Sequence, residues 1–241
     1  MAPAGSPPGA EREPPIPVRL GSALSVHEPL VTDEESQAIR AAVVAAERAS
    51  AGEIVPLVVD AADDYELADW KGATIGALLC ALGAAVFHAL RPIWGSASTW
   101  LVLPVALGAL AGALAARFSP PLRRWLIGSA RLDDCVEACA FEAFLHHGVF
   151  RTRDRSGILI LVALFEHRVR ILADEGIHAA VPAPTWEALA RDTALAVRAG
   201  RPAAALVAAV ERCGALLAEH GPRRRADDVN ELPDAPLSER L

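Results

Sequence analysis

Cysteine is scarce in this chain. The four present (Cys80, Cys135, Cys139 and Cys213) are too few and too scattered to staple a domain, which fits a reducing compartment. Basic charge is also short. The net charge is −7, so no cationic surplus is available to neutralise phosphates, and a general nucleic-acid binder is excluded. The N-terminal stretch "MAPAGSPPGAEREPPIPVRLG" lacks the apolar core of a secretory signal; it is rich in Pro and Gly, and residues 1–25 read as a disordered tail. Familiar catalytic motifs are missing too: there is no Gly-rich phosphate loop, no G-x-S-x-G elbow and no H-E-x-x-H pair. Cys135 and Cys139 lie one helical turn apart, with His146 and His147 at the helix end. That spacing is too wide for zinc and predicts two small buried thiols.

What the chain does have is apolar length. Its mean hydropathy of +0.29 is high for a soluble protein of 241 residues. Nineteen residues without a formal charge separate Lys71 from Arg91, and twenty-five separate Arg91 from Arg117. At about 1.5 Å per helical residue each run reaches roughly 28 Å or more, enough for a hydrocarbon core. Both runs are apolar all round, which argues against two core helices of a soluble domain. Trp70, Phe118 and Trp125 flank one side of the pair, and Trp94 and Trp100 the other, as interfacial belts do. The short link "RPIWGSA" predicts a hairpin, with spans over 72–90 and 98–116. Gly72 and Gly76, and likewise Gly108 and Gly112, stand one turn apart, a spacing that lets helix backbones approach closely. It predicts a tight hairpin or a homodimer seam, the alternative being an accident of the Gly- and Ala-rich composition of the two runs.

A hairpin returns the chain to its starting side. Arg117, Arg123, Arg124 and Arg131 crowd the return point, while the far loop has only Arg91. The positive-inside bias therefore predicts a multi-pass protein of the cell inner (plasma) membrane, with the bulk of the chain and both termini in the cytoplasm.

The remainder reads as an α/β domain. Thr32 and Glu35 form a capping-box pattern at the head of a helix that Gly52 closes. "EIVPLVVD" (53–60) is a buried strand, and its Pro56 suggests a bulge or an edge position. Pro120 and Pro121 open a long helix running to His147. "GILILVAL" (157–164), the turn "FEHR" and "VRILAD" (169–174) make a strand pair that should be antiparallel. Two helices follow, one stopping at Gly200 and one running from Pro202 to Gly221. The expected layout is a tail at 1–25, the first part of an α/β domain at 26–70, the hairpin at 71–117, the second part of the domain at 118–221 and an extended tail at 222–241. Arg223, Arg224 and Arg225 in that tail are either solvated or in contact with anionic lipid.

Three stretches carry a family resemblance: "TDEESQAIRAAVVAAERASAGEIVPLVV", "FLHHGVFRTRDRSGILILVALFEHRVRILADEGI", and Trp186. Their most specific elements are Gly52-Glu53-Ile54 and the T-x-R-x-R-S-G run from Thr152 to Gly157. The chain resembles the TPM domain over roughly residues 30–220, and most of all its bacterial membrane branch, where two spans interrupt the domain. That resemblance implies a Rossmann-like α/β/α sandwich with a small mixed sheet. It also implies, for some members, a divalent-ion site (calcium or magnesium) with weak phosphatase activity, as in thylakoid-lumen acid phosphatase and the photosystem II repair proteins. Other members act as partners of membrane complexes, and the family usually places the domain outside the cytoplasm.

Two clusters are candidate sites. Glu53 begins the first strand, Arg153 and Arg155 precede the second, and Asp174 and Glu175 end the third, so all five belong at one edge of the sheet. Carboxylates beside an arginine suit a hard cation or a phosphate; the structural alternative is that Glu53 pairs with Arg155 while Asp174 caps the turn at Gly176. The opposite edge gathers Asp60, Asp63, Asp64 and Tyr65 with Glu166 and His167, either as oxygen ligands or as a solvated acidic face near the membrane. No nucleophile with an adjacent base can be named. The sequence therefore favours an accessory or interaction module for an unidentified membrane partner, with a weak divalent-metal-dependent phosphatase as the alternative.

Overall fold

A computed structural model of the chain describes residues 30–48, 50–90, 97–222, 232 and 235–239. The N-terminal tail, the link with Arg91 and Trp94, and the basic run 223–225 lie outside them.

Helix α1 (Asp33–Glu47) opens on the capping box read from the sequence. The Thr32 hydroxyl accepts the Glu35 N–H at 3.3 Å, and the Glu35 carboxylate accepts the Thr32 N–H at 2.9 Å. Such a cap is worth about 1 kcal/mol. Ile39 and Val43 form its buried stripe. Strand β1 (Ile54–Val59) follows and is buried along its whole length. Next come α2 (Glu66–Leu90) and α3 (Ala97–Phe118), then α4 (Pro120–Ile127) and α5 (Ser129–His146). After a 3₁₀ turn at Val149–Arg151 come β2 (Ile158–Ala163), β3 (Arg168–Ala173), a short helix α6 (Glu175–His178), α7 (Ala183–Arg198) and α8 (Pro202–His220). Strand β4 (Leu237–Glu239) is last.

The sheet order is β3-β2-β1-β4. β2 runs parallel to β1, and β3 runs antiparallel to β2, as the strand patterns predict. β4 lies parallel on the other side of β1, pairing Leu57 with Leu237. The period-two alternation divides the core in two. Ile158, Ile160 and Val162 face α1, α7 and α8, whereas Leu159, Leu161 and Ala163 face α5.

Of two local expectations, one holds and one needs correction. Pro56 sits in no bulge but at a locally open edge of β1. The Glu53 and Val59 carbonyls accept from β2, so by alternation the odd-numbered residues of β1 bond to β2. Residue 56 turns away from β2, toward a side where β4 begins only at Leu57, and its missing N–H costs no ladder bond. The long helix expected from Pro120 to His147 is broken at Gly128, whose φ of 86° cannot continue a right-handed helix and is readily adopted only by glycine.

α2 and α3 pack along each other. Gly72 meets Gly112 and Ala116, and Gly76 meets Gly108; a Cβ on either would strike a backbone carbonyl of the facing helix. The small residues thus serve the close approach of the two helices within one chain. Gly76→Val should therefore cost about 3 kcal/mol of hairpin stability, read by unfolding in detergent micelles. An unchanged midpoint would show that the helices are not packed through this face.

The outward face of the hairpin is apolar and uncovered: Leu78, Leu79, Leu82 and Leu90 on α2, and Val102, Leu107 and Leu110 on α3, are all exposed. α2 is long and apolar enough to cross a membrane, and no residue of its most apolar 18-residue window is buried. α3 meets the same criterion only together with α4, to which it is bent by 102°.

Candidate functional site

The two ends of the sheet carry the two clusters. At the first, the T-x-R-x-R-S-G run is a locked corner. Thr152 Oγ1 accepts the Ser156 N–H at 3.0 Å, and Arg155 takes a left-handed φ of 54°. The Arg155 carbonyl then accepts the Gly176 N–H at 2.9 Å. Gly157 and Gly176 are required there because an added Cβ would strike the carbonyls of Val149, and of Asp154 and Arg155, respectively.

This corner brings Arg155 to Asp174, with Nε at 3.0 Å from Oδ2. Asp174 also caps α6 by accepting the Glu175 N–H at 2.7 Å. Glu175 lies 3.9 Å from Arg155 and is largely exposed, as is Arg153, while Glu53 is buried at the head of β1. A cation at Asp174 would have to displace both Arg155 and the cap. Among the described residues no three His, Cys, Asp or Glu side chains converge as a metal site. At this corner the geometry therefore does not fit the divalent ion that the resemblance implies.

The second cluster stands where the parallel strands β1 and β2 end, the edge at which open α/β sheets place ligands. Its centre is Glu166, 2% exposed, on the β2–β3 turn. One oxygen, Oε1, accepts the Tyr65 hydroxyl at 2.6 Å and the Ala62 N–H at 2.7 Å. Tyr65 and His167 both hold left-handed φ angles, 51° and 52°, which presents their side chains to the joint. Burial, reinforced by the bond to Glu166, pushes the Tyr65 phenol above its ordinary range, so it stays a donor. Burial and the hydrogen bond to Asp63 push the Cys135 thiol up as well. Its Sγ lies 3.4 Å from Asp63 Oδ2. Neither group is an activated nucleophile.

The arginines that crowd the return point are built into this joint. Arg124 donates to the Phe165 carbonyl at 2.9 Å, and Arg123 to the Asp64 carbonyl at 2.5 Å. Both guanidinium groups lie over the Phe165 ring, within 6 Å of its centroid. Arg131 reaches Asp63 at 3.3 Å, Arg117 reaches Asp69 at 3.5 Å, and Lys71 donates to the Leu126 carbonyl at 2.8 Å. A cavity of about 520 Å³ lies beside them, lined by Asp63, Asp64, Tyr65, Lys71 and Arg131. Of the four acidic residues expected at this edge, Glu166 and Asp63 are engaged, while Asp60 and Asp64 present exposed side chains. Sequence reading missed the Tyr65–Glu166 bond, which joins residues 101 positions apart.

His167 is held below its usual 6.5 by burial first, then by Arg124, Arg198 and Arg168. The unfolded chain binds this proton near pH 6.5 while the folded chain still refuses it. Stability attributable to His167 is therefore present above that pH and lost as pH falls below it. The melting temperature should fall from pH 7.5 to 5.5 by less in His167→Asn, which keeps the left-handed backbone accessible. Identical falls in both proteins would remove His167 from the account.

A mixed α/β sheet with helices on both faces, and a carboxylate–arginine joint at one end, defines the class. Within it, residues 126–216 match the family model of the TPM domain. The match runs from α4 to α8; the resemblance read from the sequence began earlier, near residue 30. The fold is similar to the NMR structure of BA42 protein from the psychrophilic bacterium Bizionia argentinensis, with a TM-score of 0.53 and 20% identity. That similarity covers 89% of this chain and 99% of the other. No curated protein matches the chain.

Proposed function

We propose that the chain is an integral membrane protein in which α2 and α3 cross the bilayer as a hairpin inserted into a Rossmann-like TPM domain, and that it serves as a non-catalytic accessory module for a membrane complex. The observation that carries this reading is the apolar window of α2 with no buried residue. A leucine left in water forfeits about 1.5–3 kcal/mol of burial, and a continuous face of them requires an apolar partner. A bilayer supplies one. Trp70, Phe118 and Trp125 support this, being 72–76% exposed at one end of the hairpin, where an interfacial belt belongs. The lack of an activated nucleophile at the joint favours an accessory role over a phosphatase. The arginine joint would couple hairpin to domain, so that a partner gripping one feels the other.

Alkaline carbonate extraction tests the anchor. The full chain should stay with the membranes. A variant lacking residues 72–116, whose ends touch at Gly72 and Ala116, should be released. Full-length chain in the supernatant would end the hairpin reading.

A further inference from the structure

The accessory reading leaves open where a partner would bind, and β3 offers a place. It is an edge strand. The Asp174 N–H bonds to the Gly157 carbonyl across from it, so Leu172 and Arg170 bond inward to β2. By the same alternation Val169, Ile171 and Ala173 turn their N–H and C=O groups outward, and among the described residues these have no backbone partner. The edge is not flat and open. α5 and α7 flank it and make it the floor of a groove of about 660 Å³.

Charge and an unmet donor sit in the same groove. Four arginines (168, 170, 191 and 198) line it against two glutamates, on a chain whose net charge is −7. Arg168 and Arg170 are already held by Asp133 and Glu137 of α5. Arg191 and Arg198 are exposed and make no ion pair among the described residues. Trp186 also lines the groove; it is 6% exposed, and its buried Nε1–H finds no acceptor among the described residues.

We infer that the β3 groove binds an extended acidic peptide of a partner protein, which adds as a fifth strand. Main-chain bonds to Val169, Ile171 and Ala173 supply the affinity, and carboxylates meeting Arg191 and Arg198 supply the preference. A second copy of this chain is the poorer occupant. Its β3 (Arg168–Ala173) carries two arginines and no carboxylate to offer Arg191 and Arg198.

The test uses the full chain in detergent micelles and a fluorescein-labelled peptide of alternating Glu and Val. Amide hydrogen exchange in the free protein should be fast at Val169, Ile171 and Ala173 and slow at Arg170 and Leu172. Peptide binding should slow the first three by about tenfold or more. Arg191→Glu with Arg198→Glu should weaken binding about tenfold or more. A peptide N-methylated along its pairing edge should not bind. Protection of those amides before any peptide is added would mean that the chain itself or a second copy covers the edge, and would overturn the proposal. Equal binding by a Lys-Val peptide, or by the N-methylated one, would overturn it as well. A chain that resists carbonate yet fails this test loses only the groove, whereas one that binds the peptide but is released by carbonate loses only the anchor.

Discussion

A cysteine placed at position 96 should react with a membrane-impermeant maleimide in intact cells, and one placed at 238 should not. The experiment starts from a chain whose four native cysteines are replaced, and compares Ser96→Cys with Ser238→Cys. The expectation rests on charge. Arg117, Arg123, Arg124 and Arg131 lie near the end of α3 and Lys71 lies in the first turns of α2, while the far link has Arg91 alone. Carrying an arginine or lysine through the bilayer centre costs about 2.5–3.5 kcal/mol even on the mildest scale, so moving this group outward is opposed several times over. Position 238 reports on the whole domain, because Ser238 is exposed on β4 and β4 pairs with β1. The two outcomes exclude one another. Labelling at 238 with silence at 96 would put the domain outside, and the arginines would then have to be read only as parts of the joint.

Replacing Glu166 with alanine should lower folding stability by about 3 kcal/mol, the scale of stranding two hydrogen-bond donors. Two donors would be left without their acceptor, the Tyr65 hydroxyl and the Ala62 N–H, both within 2.7 Å of the same oxygen. Each buried donor stranded in this way costs about 1–3 kcal/mol. Glu166→Gln keeps an oxygen where both bonds converge and should cost far less. Tyr65→Phe removes one donor and should make the alanine substitution cheaper, so the pair is non-additive. Urea unfolding in micelles measures all three. Equal losses for Glu166→Ala and Glu166→Gln would show that this acceptor does not hold the joint together. The loss bears on function too, because the same turn carries Phe165 and His167, which Arg123 and Arg124 grip from α4.

The legible part of this protein is the part written in neighbouring residues. The Thr32–Glu35 cap, the apolar runs over 72–90 and 98–116, and the β-branched runs that became β1 and β2 are each decided within one or two turns of chain, by propensity and periodicity. The placement of Glu53, Arg155 and Asp174 at one sheet edge was readable for a similar reason: strand direction follows from connection length. Tertiary structure alone decided the rest. "LSE" at 237–239 has no strand signal, and β4 exists because β1 offers it an open edge. Gly128 breaks a helix that its flanking residues would continue. Asp174 looks like a ligand in sequence, but Arg155 and the α6 cap already occupy it. Glu166 looks like a solvated turn residue until Tyr65, 101 positions away, closes over it. Local energies favour an element; which side chains meet across elements depends on how the whole chain closes its core, and no short stretch of sequence carries that information.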